Sequence, residues 1–97
     1  MTREVREGLQ TQGPEEAIQY RIKCTPAPVS VVGVTVRDQN TGADVSADTL
    51  TGSAVISSGA LVLPVLGNLE PNHFYEIEAA YSDGTSTIAP LFRVLCS

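Results

Sequence analysis

The sequence predicts an all-β sandwich. From residue 17 onward apolar side chains recur with period two, and no stretch of that region shows a helical period. Clusters of Gly, Pro, Asn, Asp and Ser cut the same region into short runs, the spacing of strands joined by turns. The 97 residues suffice for one domain with a modest core.

Residues 1–16 differ from the rest. "MTREVREGLQTQGPEE" carries six charges, a Gly13-Pro14 break and few apolar residues. That composition reads as an extended N-terminal arm, or as a segment that orders only against a partner. The sandwich is expected over 17–97. In "AIQYRIKC", Ile18, Tyr20, Ile22 and Cys24 fall on one face and Gln19, Arg21 and Lys23 on the other, a half-buried strand. "TPAP" breaks it, because Pro26 and Pro28 lack backbone donors. "VSVVGVTVRD" follows, with Val32, Val34 and Val36 alternating against Gly33, Thr35 and Arg37; its β-branched residues suit a pleated surface. "QNTGADVS" turns the chain, and "DTLTGSAVISS" carries one or two short strands. "ALVLPVL" is apolar on both faces, and Pro64 makes it irregular or places it at an edge. Asp83-Gly84 signals a hairpin turn before a last strand, "TIAPLFRVLC".

The stretch "LEPNHFYEIEAAY", residues 69–81, holds the only histidine and three of the five aromatic residues. Alternation from Tyr75 puts Tyr75, Ile77, Ala79 and Tyr81 on one face and Glu76, Glu78 and Ala80 on the other. Two glutamates mark the second face as wet, so the Tyr75 face is the core face. Leu69, Pro71, Tyr75, Ile77 and Ala79 resemble the L-x-P-x-x-x-Y-x-(V/I)-x-A pattern of fibronectin type III and related immunoglobulin-like domains. The resemblance implies a seven-stranded immunoglobulin-like sandwich in which Tyr75 pins the corner entering its strand. Its ring would be buried and its hydroxyl would reach back to the preceding loop. Leu69 would then plug the core, Pro71 stiffen the turn and Ile77 pack inside. There is no tryptophan, and no cysteine two residues after Tyr75, so the antibody-type variant of the fold does not fit.

If the topology is fibronectin-like, the strands ending in Cys24 and Cys96 run in the same direction. Both thiols then face inward near one pole. They form either a disulfide closing nearly the whole chain, or two buried thiols as a reducing compartment would keep them.

Net charge is −5, and the six basic residues are scattered singly, which argues against nucleic acid and anionic membranes as partners. No apolar run is long enough to span a bilayer as a helix. "MTREVREGLQ" lacks the apolar core of a secretory signal. The two cysteines match no zinc or redox spacing. "DQNTGAD", residues 38–44, offers oxygens at Asp38, Asn40 and Asp44. Gly42, Ala43 and Thr49 stand where a calcium loop needs other residues, and a hairpin loop explains the same letters. Glu76 and Glu78 read as a solvated face rather than an acid/base pair. His73, on a loop with no second histidine and no cysteine near in sequence, is expected to be solvent-exposed. No cofactor, metal or catalytic residue is expected.

Residues 16–96 also resemble, in overall layout, the stand-alone immunoglobulin-like structural proteins of tailed bacteriophages. That resemblance implies a non-enzymatic virion protein, made in the bacterial host cytoplasm without a signal peptide. Its favoured role is a capsid decoration or cement protein that binds the major capsid protein, other virion proteins and itself being further partners. The alternatives are a head–tail connector or tail-associated protein, and a carbohydrate- or surface-binding module. Leu91 and Leu95 would flank Arg93 on an outer face and Phe74 would escape the core. With His73 at the loop tip and Arg3 and Arg6 on the arm, they are the expected partner contacts.

Overall fold

The computed structural model describes residues 2–5, 9–24 and 28–97. In chain order its strands are β1 (Thr2–Val5), β2 (Leu9–Gln12), β3 (Ile18–Lys23), β4 (Ser30–Asp38) and β5 (Leu50–Thr51). They continue with β6 (Val55–Ser57), β7 (Ala60–Leu66), β8 (Phe74–Ser82), β9 (Thr87–Ile88) and β10 (Leu91–Cys96). One helical turn, α1 (Ser46–Thr49), precedes β5. One sheet has the order β1-β3-β7-β5, with β6 also on β7; the other has β2-β10-β8-β4, with β9 also on β8. The β1–β3 and β2–β10 pairs are parallel and the remaining pairs antiparallel. The result is an all-β, sandwich-like fold.

Alternation decides which face of each strand turns inward. Ile18, Tyr20 and Ile22 of β3 and Leu61, Leu63 and Leu66 of β7 meet Val36 of β4, Tyr75, Ile77, Ala79 and Tyr81 of β8, and Phe92, Val94 and Cys96 of β10. The Tyr20 and Phe92 rings touch across the two sheets, 5.2 Å between centroids and tilted by 53°. Burying each such large side chain contributes about 1.5–3 kcal/mol against the entropy of ordering the chain.

Several expectations need correction. Ten strands stand among the described residues where seven were expected, in part because the segment marked by composition as an arm is woven into the sandwich. Its β1 joins one sheet and its β2 the other. Arg6 and Pro26 lie outside the described residues, and Arg3 falls on β1. Val32 does not point inward. A bulge between Val31 and Gly33 shifts the register, so Val31 packs against the core and Val32 is 59% exposed.

Pro64 lies inside a central strand, not at an edge. It falls where β5 ends and β6 has not resumed, since Thr51 pairs Val65 and Val55 pairs Val62. On the other side the β3 pairing shifts register between Gln19 and Arg21, over the same two positions of β7. The missing donor therefore sits at a break in both ladders. The expected last strand is likewise two, β9 and β10, parted at Ala89-Pro90. The Asp83-Gly84 turn has Gly84 at φ +97°, and the Asp83 carboxylate accepts the N–H groups of Thr85 and Ser86.

Candidate functional site

The segment entering β8 is built by a four-residue turn. The N–H of His73 donates to the carbonyl of Glu70 at 3.3 Å, and Asn72 between them has φ +66°. Proline at the second position with a left-handed third residue defines a type II turn, which is why "EPNH" closes here. Leu69 is buried just before it. Pro71 is exposed on the turn. The buried Tyr75 hydroxyl accepts the N–H of Glu70 at 2.7 Å, tying the turn to the start of the strand. Ile77 is buried in the core two residues on.

This turn meets the 38–44 loop. Asp38 ends β4 with its side chain almost wholly out of solvent, and its Oδ2 lies 2.8 Å from His73 Nδ1. His73 is therefore not the free loop residue expected from sequence. An ionised carboxylate only accepts, so Nδ1 carries the proton. Asp38 Oδ1 takes the Asn40 N–H, Asn40 Oδ1 takes the Phe74 N–H, and Gln39 N–H donates to the Phe74 carbonyl. Burial pushes the Asp38 carboxyl up. The His73 hydrogen bond, the Asn40 N–H, the imidazole charge and the Thr41 N–H outweigh that and hold it below the ordinary carboxylate range.

Cys96 stands beside this pair. Its N–H donates to the His73 carbonyl, and its carbonyl accepts the Asn72 N–H. A thiol, an imidazole and a carboxylate gathered at one pole invite a nucleophilic reading. Cys96 is fully buried, and desolvation together with the Glu70 charge pushes its thiol up, the reverse of what an attacking thiolate needs. The cluster is a joint between two loops. The side-chain oxygens of Asp38, Asn40 and Asp44 in "DQNTGAD" are likewise committed, to His73, to the Phe74 N–H and to Ser46. Asp44 Oδ1 accepts the N–H and the hydroxyl of Ser46, and no metal-binding group of three or more His, Cys, Asp or Glu occurs among the described residues.

Cys24 is buried at the far end of the sandwich, where Tyr81 reaches it, and both cysteines are free. The expectation of a shared pole is overturned, because β3 occupies the middle of its sheet and runs against β10. Ile18 at the start of β3 pairs Leu66, and Gln12 beside Cys96 reaches that same Leu66.

Gln12 was hidden from sequence reasoning inside the arm. It is completely buried: Nε2 donates to the carbonyls of Leu66 and Glu16, and Oε1 accepts the Tyr20 hydroxyl. One amide thus joins β2, β3 and β7. A glutamine in a charged stretch carries no signal of its own for this. The Asp38–His73 pair, 35 residues apart, could be found only once the register of β4 on β8 is known.

The outer face of β2-β10-β8-β4 gathers the remaining expected contacts. Phe74 is 41% exposed, with Leu95 opposite it in register; Leu91 stands opposite Glu78. Leu9 of β2, missed from sequence, is 55% exposed and lies beside Arg93. Glu76 sits between Arg93 and Arg37 in register, with Arg93 Nε 3.8 Å from its carboxylate. Four of the five aromatic side chains are buried and Phe74 is the exception. No helix among the described residues is long and apolar enough to cross a membrane.

No protein-family model matches the chain, and neither curated proteins nor solved structures provide a match.

Proposed function

We propose that the chain is a non-enzymatic structural protein of a tailed-phage virion, an immunoglobulin-like domain that decorates the capsid by binding the major capsid protein. The virion context comes from the resemblance in layout over residues 16–96. The immunoglobulin-like assignment is supported by the corner geometry, in which Tyr75 takes the Glu70 N–H at the entrance to β8.

The observation that carries the binding role is the start of β4. This strand ends its sheet, and Val29 and Val32 there are 67% and 59% exposed, the two most exposed large apolar side chains among the described residues. The far half of β4 is covered, since Val45 N–H donates to the Val36 carbonyl and Asp38 N–H to the Ala43 carbonyl. The near half offers a strand edge flanked by valines, suited to strand addition by a partner. Many weak copies on a lattice would sum to firm attachment.

The test is pelleting of purified protein with capsids of its phage, alongside quantitative protein analysis of virions. The reading expects hundreds of copies per virion and loss of pelleting on Val32→Lys. Six or twelve copies would move the protein to the head–tail junction, and absence from virions would end the proposal.

A further inference from the structure

The outer face of β2-β10-β8-β4 has a pattern that fits its own copy. Across the strands one row reads Leu9, Arg93, Glu76, Arg37, and the next reads Thr11, Leu95, Phe74. Among the described residues, Arg93, Arg37, Glu76 and Glu78 make this face locally neutral on a chain of net charge −5. A face exempt from the general repulsion between copies is where like molecules can meet.

We propose that two copies of the chain pack face to face here, about a two-fold axis lying along the strands between β8 and β10. Rotation about that axis keeps each row level and exchanges left with right. Arg93 then faces Glu76 of the second copy, and Glu76 faces Arg93 of the second copy. In the neighbouring row Leu95 meets Phe74 of the second copy and Phe74 meets Leu95. Every contact occurs twice, as an isologous interface requires. The Phe74–Leu95 row, at the end of the strands, supplies the apolar part of the contact. The arginines supply the charged residue type most favoured at interfaces, and Arg93, 60% exposed, is free to extend across the gap. Leu9 would lie over the aliphatic stem of Arg37 from the second copy, a contact arginine makes while keeping its head wet. On the other side of the charged row Leu91 faces Glu78 of the second copy. Short strands limit the area, so the pair is weak, in the micromolar range or above. This inference does not depend on the virion reading, and it uses a surface separate from the β4 edge.

Charge reversal tests the geometry. Arg93→Glu gives a face with three acids in adjoining rows, and Glu76→Arg gives one with three bases. Each variant alone should sediment as a monomer at concentrations where the unaltered protein associates. Mixed one to one, the two variants should associate again, because the axis sets each reversed position opposite a charge of the other sign. Phe74→Ala should weaken association about tenfold. Val55→Ala, exposed on β6 in the other sheet, should leave it unchanged. The exposed Arg93–Glu76 pair within one chain contributes little to folding, so unaltered circular dichroism is expected for both reversals. Sedimentation velocity from about 10 μM to about 1 mM reads the result. A monomer throughout that range, reversal variants that associate like the parent, or a mixture that stays monomeric would each overturn the proposal.

Discussion

A carboxylate taken almost out of water must find donors, and Asp38 finds them on two loops, at His73 and at Asn40. Its folded pKa lies below the unfolded value of 3.8. The ionised form is therefore the one that the fold prefers. Its contribution is complete above the unfolded value and is lost as pH falls through the folded value. Urea midpoints measured from neutral pH down to about 2 should fall below about pH 4. Asp38→Asn should start lower at neutrality and show a shallower acid limb, and identical limbs would remove Asp38 from this account. Tyr75 presents the complementary case, a buried hydroxyl whose task is to accept one N–H. Tyr75→Phe keeps the ring and deletes the acceptor, so a loss of about 1–2 kcal/mol is expected in chemical denaturation.

Among the elements, β2 is held by its ladder on β10 and by one buried side chain. It is only four residues long and lies at the edge of its sheet, but Gln12 anchors it to Leu66, Glu16 and Tyr20. Gln12→Ala should cost about 2–3 kcal/mol, because it removes a buried amide and its bonds to Leu66 and Tyr20. Hydrogen exchange should show β2 losing protection before β10 does; equal protection would mean the ladder alone holds the strand. The elements legible in the sequence are those with an uninterrupted period. Ile18, Tyr20 and Ile22 in β3, and Tyr75, Ile77, Ala79 and Tyr81 in β8, are buried as alternation requires. Alternation misleads at Val32, because a bulge adds one residue without any mark in composition. Pro64 signals a break, but only the partners' registers show that two neighbouring strands lapse at the same place. The Gln12–Leu66 bond and the Asp38–His73 contact are non-local, and no short window along the chain contains both sides of either.

At the scale of the whole molecule, the direction of β3 against β10 sets the thiols apart. Tyr81 at one end of β8 contacts Cys24, and His73 just before the other end contacts Cys96. Those ends are separated by roughly 25 Å at the strand rise, far beyond what a disulfide spans. Two thiols should therefore titrate under denaturing, non-reducing conditions, and both should react slowly in the native protein because both are buried. A count below two would overturn this arrangement of the strands.

The parallel pairing of β2 with β10 also has a mechanical consequence. Leu9–Gln12 runs beside Arg93–Cys96 in the same direction, and Ser97 N–H closes the ladder on the Gln12 carbonyl at 3.1 Å. Tension that pulls residue 9 and residue 97 apart acts along the two strands in opposite senses. The ladder is then loaded in shear, with its hydrogen bonds stretched together rather than opened one after another. A hairpin pulled at its open end would yield bond by bond. This short seam is where the domain would resist being drawn out lengthwise.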